Sequence, residues 1–182
     1  MGGVLIIGGY ESKYYIGQLT WVPLIFCRWW TIQVDAVGAE ATLEEPVSAM
    51  LDSGTTTITG GSDSVRRLYD GSAAQYNESL QCWTSPLDSV PGLPPLTFRI
   101  GGNDFGIAAE DLVVPGSVVL SYTAAATFEV DNATWVYLGL CGGGSSPPDW
   151  ILGDVFLQRY FTAYSFTSAR VGLAPSNPLP HQ

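Results

Sequence analysis

Ala49-Met50-Leu51-Asp52-Ser53-Gly54-Thr55-Thr56-Thr57 is the stretch from which the interpretation of this sequence starts. Its first three residues are apolar and predict a short buried strand, which ends on the acidic side chain of Asp52. Residues 53–54 then turn the chain, and the three threonines that follow offer hydroxyl groups within reach of the carboxylate. A buried carboxylate is costly unless hydrogen bonds or partners compensate it, so a charge at this position indicates chemistry.

A second apolar stretch that ends on an aspartate, Trp150-Ile151-Leu152-Gly153-Asp154, comes much later in the chain. Together the two stretches resemble the C-terminal lobe of the pepsin-like aspartic proteases. The signature of that family, two hydrophobic residues followed by Asp-Thr/Ser-Gly-Thr/Ser, is matched by residues 50–55. Segments 8–23 and 170–175 resemble the opening segment and the closing strand of the same lobe. These motifs occur in the expected order, and the chain is identified as a member of the family on that basis.

The resemblance implies a mostly β fold, a single pepsin-like lobe with one or two short helices. We expect this lobe to cover residues 1–175 and a polar tail to follow at 176–182. One departure concerns Tyr164-Ser165, where the family usually has Phe-Asp, and it affects a local hydrogen-bond arrangement. The aromatic residues Phe26, Trp29 and Trp30 are predicted to belong to the core, with an exposed surface toward another lobe as the alternative.

The resemblance also assigns the site residues of an aspartic endopeptidase. Asp52 would be the catalytic carboxylate, Ser53 would contact the second lobe, and Thr55 would donate a hydrogen bond to Asp52. Gly54, Thr55 and Thr56 would bind an extended peptide or protein substrate. Aspartic proteases place two carboxylates around one water molecule, as is well known for the family. Asp154 would be structural, so this chain holds one catalytic carboxylate and is expected to be inactive as an isolated monomer.

Three hypotheses follow from the single motif. In the first, a complementary N-terminal lobe supplies the second carboxylate and completes a bilobal endopeptidase. In the second, two copies of this chain pair about a twofold axis, as in retroviral proteases, so that two Asp52 residues form the dyad. In the third, the lobe is a non-catalytic binding or inhibitor-type domain.

Composition favours one folded domain without a nucleic-acid partner. The 182 residues are 46% hydrophobic, which suffices for one sizeable core. A chain of this length is too short for two ordinary domains. Seven basic and seventeen acidic residues give a net charge of −10, which argues against nucleic acid and anionic membrane surfaces as partners. No apolar run is long enough to predict a membrane span.

The residue types also exclude other common hydrolytic mechanisms. The single histidine, His181, is the penultimate residue, where a rigid Ser-His-Asp or Cys-His arrangement is difficult to build. One histidine and three scattered cysteines do not form a zinc site. We therefore expect no metal and no cofactor, and the carboxylate mechanism remains.

Cysteines and glycosylation motifs bear on the cellular compartment. The resemblance implies a Cys82–Cys141 disulfide, which leaves Cys27 either as a small buried residue or as a link to another chain. Asn77-Glu78-Ser79 and Asn132-Ala133-Thr134 are N-glycosylation acceptor patterns. With the resemblance, they favour the secretory pathway and a vacuolar, lysosomal or extracellular location.

Hydrophobic alternation and turn residues predict many short strands, two helices and three longer loops. The predicted strands are 4–7, 18–22, 30–36, 49–51, 96–100, 105–108, 118–122, 125–130, 135–140, 161–166 and 170–174. The predicted helices are 62–69, with Ser62 or Asp63 as the N-cap, and 155–159, and the predicted loops are 40–46, 86–95 and 142–148.

Overall fold

A computed structural model describes residues 4–26, 28–39, 42–43, 46–115, 127–143 and 147–177. Short strands and the turns between them make up most of this part of the chain, so the predicted mostly β, pepsin-like lobe is confirmed. The strands are Thr20–Phe26 (β1), Thr31–Val34 (β2), Ala36–Gly38 (β3), Thr42–Leu43 (β4), Val47–Leu51 (β5), Ile58–Gly61 (β6), Gln75–Asn77 (β7), Cys82–Pro86 (β8), Leu96–Ile100 (β9), Asn103–Ile107 (β10), Val113–Val114 (β11), Thr127–Val130 (β12), Ala133–Gly143 (β13), Trp150–Leu152 (β14), Tyr160–Ser165 (β15) and Arg170–Pro175 (β16). The helices are Ser62–Leu68 (α1), Ala109–Leu112 (α2) and Asp154–Leu157 (α3), and single 3-10 segments cover Ser12–Tyr14 and Leu87–Gly92.

The strands form one large mixed sheet and one small antiparallel sheet. Neighbours in the large sheet follow the order β15-β16-β1-β2-β5-β14-β6-β13-β8-β7, and β11 and β12 pair with β13. The small sheet has the order β10-β9-β3-β4. Buried aromatic side chains join the two: Phe98 of β9 packs edge-on against Trp150 and Phe156, with ring centroids 5.6 and 5.9 Å apart. The core therefore lies directly behind β14 and α3.

The arrangement of β5, β14 and β6 brings the two aspartate motifs together. β14 is parallel to β5, with Leu152 opposite Leu51, and antiparallel to β6. Parallel strands end at the same edge of a sheet, so the segments that follow β5 and β14, which contain Asp52 and Asp154, lie next to each other. The Asp52 N–H donates to the Leu152 carbonyl over 3.2 Å. Sequence positions far apart thus meet at one edge.

Gly153 allows the chain after β14 to cross very close to the loop that follows Asp52. A Cβ atom at this position would lie 2.1 Å from the Thr55 carbonyl oxygen and 2.4 Å from that of Thr57. Both atoms belong to the backbone and cannot rotate away. The neighbouring Asp154 N–H donates to the same Thr55 carbonyl over 2.8 Å. Only glycine fits where these segments touch.

Several predictions about elements are wrong. Residues 4–7 form no strand, and Leu5 and Ile7 are 88% and 89% exposed, because no described strand lies beside them to pair with. The 40–46 loop contains β4, which pairs with β3. The proline-rich connection contains a 3-10 segment, with Pro86 at its N-cap and Pro91 inside it.

The helices also differ in detail from the prediction. The N-cap of α1 is Gly61, where Ser62 or Asp63 was expected, so no side-chain hydrogen bond caps this helix. α2 was not predicted, because four residues are too few to show a helical period. The predicted 142–148 loop begins later, since β13 continues to Gly143. The strand predicted at 118–122 and the interpretations of Cys27 lie outside the described residues.

Replacing Gly153 by alanine tests the crossing. We expect Gly153→Ala to lower the free energy of unfolding by at least about 3 kcal/mol, because the backbone must move to admit the methyl group. For a chain of this size the melting temperature should fall by about 6 °C or more. Gly61→Ala is the matched control, since a Cβ there meets nothing within 4 Å. Equal melting temperatures for the two variants would contradict the close approach.

Candidate active site

Asp52 follows the last residue of β5 and is held by its own turn. Its Oδ1 accepts the Gly54 N–H over 2.9 Å, and its Oδ2 accepts the Thr55 hydroxyl over 2.8 Å. The Thr55 N–H also donates to the Asp52 carbonyl. The carboxylate is half-buried, so it is fixed in direction and still reachable from solvent. Each oxygen retains room to accept a further hydrogen bond.

The residues after Asp52 differ in what they face. Ser53, Gly54 and Thr56 are exposed along the turn, whereas the Thr57 hydroxyl lies 3.2 Å from that of Thr59. Of the three threonine hydroxyl groups expected near the carboxylate, only that of Thr55 donates to it among the described residues. The substrate-binding and lobe-contact roles of residues 53–56 stay predictions.

α3 supports the turn from behind. Its first two N–H groups, those of Asp154 and Val155, donate to the Thr55 and Thr56 carbonyls over 2.8 and 3.0 Å. The N–H groups at a helix start have no partner within the helix, so these bonds satisfy both elements. Asp154 is half-buried and lies at this helix start. This position agrees with the structural role that the resemblance implies.

A cavity of about 310 Å³ opens beside the carboxylate. Tyr164 of β15 forms one wall, and its ring packs edge-on against Trp30, with centroids 4.8 Å apart. Trp29 is 55% and Phe26 is 52% exposed, so these two residues do not belong to the core as predicted. The cavity is lined by Trp29, Trp30, Met50, Leu51, Asp52, Ser53 and Tyr164. Aromatic side chains and the Asp52 carboxylate therefore line the same cavity.

Ser48 and Asp149 join the beginnings of β5 and β14. The Ser48 N–H and its hydroxyl both donate to Asp149 Oδ2 over 2.7 Å, and the Asp149 N–H donates to Ser48 Oγ over 3.0 Å. The Ser48 backbone bond, followed by the hydroxyl bond, lowers the pKa of the Asp149 carboxyl. Sequence reasoning missed this contact, because the two residues lie far apart in the chain and carry no motif.

The predicted disulfide is present, and the two acceptor asparagines lie in different settings. Cys82 of β8 and Cys141 of β13 are bonded, at positions that face each other in the sheet. Asn132 is exposed in the turn between β12 and β13. Asn77 ends β7, and its Oδ1 accepts the N–H groups of Ser79 and Leu80. Glycosylation of either residue stays a prediction.

Two further observations concern metals and membranes. Within the part of the chain that the structure describes, no three histidine, cysteine, aspartate or glutamate side chains are grouped closely enough to hold a metal ion. The helices of that same part are too short and insufficiently apolar for any of them to cross a membrane.

Comparison with known proteins gives one consistent result. The family model described as "Eukaryotic aspartyl protease" matches residues 1–176. Cathepsin D from Clupea harengus is 33% identical over 185 residues, which cover 96% of this chain and 42% of the relative. Gastricsin from Homo sapiens is 33% identical over 177 residues, which cover 95% of this chain and 42% of the relative. Pregnancy-associated glycoprotein 4 from Ovis aries is 30% identical over 181 residues, which cover 96% of this chain and 43% of the relative. The chain thus spans less than half the length of these relatives.

The Ser48–Asp149 contact predicts a pH-dependent stability difference. The folded pKa of Asp149 lies below its unfolded value, so the stabilisation is present above about pH 4 and is lost as the pH falls through the folded pKa. We expect Asp149→Asn to cost about 1 kcal/mol at pH 6, a modest figure because the residue is exposed, and a smaller amount near pH 2. Chemical denaturation at both pH values measures this difference. Asp88→Asn, at an exposed 3-10 position, is the control, and an equal cost at both pH values would contradict the prediction.

Proposed function

Because this chain belongs to the eukaryotic aspartyl protease family, we propose that it is an aspartic endopeptidase lobe that supplies Asp52 as one of two catalytic carboxylates. The observation that carries the proposal is the Asp52 turn itself. Its carboxylate accepts hydrogen bonds from Gly54 and Thr55 at one exposed edge of the sheet. The rigid sheet thereby holds a half-exposed carboxylate in one direction, as general acid–base catalysis requires.

In the proposed reaction, Asp52 and a second carboxylate hold one water molecule between them. Two carboxylates in contact do not both ionise readily, so the pair shares a proton. The charged member removes a proton from water while the oxygen of that water attacks the peptide carbonyl carbon. The protonated member donates to the carbonyl oxygen, which gives a tetrahedral diol and exchanges the protonation states of the two carboxyl groups. The newly protonated carboxyl group then donates to the peptide nitrogen while the other takes a proton from a diol hydroxyl, so the C–N bond breaks and an amine and a carboxylic acid leave. The proton count is unchanged over the cycle.

A second protein surface is part of this proposal. Asp154 is the only other aspartate at this edge among the described residues, and it lies at the start of α3 behind the turn. The motif around Asp52 occurs once in the sequence. Ser53 and Gly54 are exposed beside the carboxylate, where a complementary lobe could bring its own aspartate. We therefore assign the second carboxylate to a complementary N-terminal lobe.

An aromatic surface next to Asp52 supports such a partner. We call Trp29, Trp30, Tyr164 and Phe166 the aromatic rim. Trp30 packs against Tyr164 and Phe166, yet Trp29 and Phe166 remain 55% and 87% exposed. Exposed aromatic groups of this kind commonly mark contact sites between proteins. A second lobe seated here would cover the rim and face Asp52 at the same time.

Two other functions of the same surface remain as alternatives. A second copy of the chain could cover the aromatic rim and place two Asp52 carboxylates together. A non-catalytic binding domain could use the exposed turn without a second carboxylate. The Cys82–Cys141 disulfide favours an oxidising compartment for all three, so we propose a secretory, lysosomal, vacuolar or extracellular location.

Reconstitution tests the catalytic role of Asp52. The chain alone should be a monomer by light scattering and should not cleave a denatured protein at acid pH. Refolding it with the N-terminal lobe of herring cathepsin D, which is 33% identical to this chain over the shared region, should restore pepstatin-sensitive cleavage. Asp52→Asn should reduce that cleavage by at least about a thousandfold, because the reaction loses one of its two acid–base groups.

Asp131→Asn is the control for this substitution, since Asp131 is exposed in a turn. Full activity of Asp52→Asn would contradict the proposal. An active dimer of the chain alone would favour the pairing of two copies. Absence of activity in a correctly assembled two-lobe complex would favour a binding domain.

A further inference from the structure

Tyr164 and Ser53 are the two hydroxyl-bearing side chains among the residues that line the cavity beside Asp52, and Tyr164 comes from a strand near the end of the chain. It belongs to β15, whose neighbours in the sheet are β16 and then β1. Asp52 follows β5, on the other side of β2. The cavity between them has a volume of about 310 Å³, which is room for several water molecules.

The Tyr164 ring is held in place relative to the strand that precedes Asp52. Its edge-on contact with Trp30 has a centroid separation of 4.8 Å. The Trp30 carbonyl in turn accepts the Leu51 N–H over 3.0 Å. Leu51 is the last residue of β5, so the aromatic pair and the carboxylate are connected through a short rigid path.

The charge state of Tyr164 suits a hydrogen-bond donor. The Tyr164 side chain is 44% exposed. Partial desolvation of its hydroxyl group raises the pKa of Tyr164 to about 12, a hydrogen bond with Thr162 opposes this rise, and the negative charge of Asp52 adds a smaller rise. The hydroxyl group therefore keeps its proton at every pH at which an acid protease works. A phenol can donate that proton directly or through one bridging water molecule.

We propose that Tyr164 is a positioning residue for Asp52, whose hydroxyl group donates through solvent in the shared cavity to the carboxylate and favours its charged form. This inference rests on the proposed function of Asp52. It gives a role to the residue that departs from the Phe-Asp usual in the family. A phenylalanine at this position would keep the packing against Trp30 and leave the cavity without this donor.

The charged and titratable groups around the carboxylate come from three elements. Tyr164 faces it from β15, and Asp154 lies behind its turn at the start of α3. Arg28 precedes the cavity-lining Trp29, and its guanidinium carbon is 5.6 Å from the centre of the Trp29 ring. Substituting Tyr164 by phenylalanine leaves the other two groups unchanged, so its effect can be read separately.

The test follows the Asp52 carboxyl carbon by NMR in the full chain labelled with ¹³C-aspartate, with Asp52→Asn to assign the resonance. In Tyr164→Phe the pH midpoint of the chemical-shift change of this carbon should rise by about 0.3 to 1 pH unit. The charged carboxylate loses a hydrogen-bond donor, and the cavity becomes more apolar. Tyr10→Phe is the matched control, since Tyr10 packs against Tyr15 and Trp21 and does not line the cavity. Its midpoint should equal that of the unmodified chain.

An unchanged or lowered midpoint in a folded Tyr164→Phe variant would overturn the inference. A role in packing alone would change the free energy of unfolding and leave the midpoint in place. The measurement needs no second lobe and no activity. If Asp52 is not catalytic but Tyr164 donates to it, the midpoint still rises in Tyr164→Phe. If Asp52 is catalytic but Tyr164 does not act on it, the midpoint stays unchanged. The two proposals can therefore fail separately.

Discussion

The contact of Gly153 with the Thr55 and Thr57 carbonyls is the constraint on which the candidate site depends. Two strands, β5 and β14, run parallel at the centre of the large sheet, and both continue into the same small space. The missing side chain lets the backbone segments touch, and the bonds from the start of α3 then fix the loop. The direction of the Asp52 carboxylate follows from this backbone packing. The hydrogen bonds from Gly54 and Thr55 complete the orientation.

The same packing explains why the site lies open. The sheet supplies one carboxylate at an exposed edge, together with aromatic side chains that are only partly covered. The core behind the edge is packed with the aromatic rings of Trp150, Phe98 and Phe156. In the proposed function, the second carboxylate would approach from the solvent side, where Ser53 and the aromatic rim lie. Rigidity on one side and openness on the other suit a site shared between two surfaces.

The sequence predicted what depends on local patterns and missed what depends on distant contacts. The two strand-aspartate motifs and the turn residues were sufficient to identify β5, β14, α3 and the family. The run at 4–7 is equally apolar, yet it forms no strand, because strand formation requires a neighbouring strand that hydrophobicity alone does not reveal. The Ser48–Asp149 contact and the position of Tyr164 beside Asp52 arise from pairings between remote segments. No property of the individual residues indicates these contacts.

The most direct test of the central claim, that this chain provides half of a shared catalytic site, is calorimetric titration with pepstatin. The account predicts no binding to the monomeric chain. It predicts one inhibitor molecule per complex when a complementary lobe is present, because the inhibitor must contact both carboxylates. Tight binding of one inhibitor molecule to the monomeric chain would contradict the account.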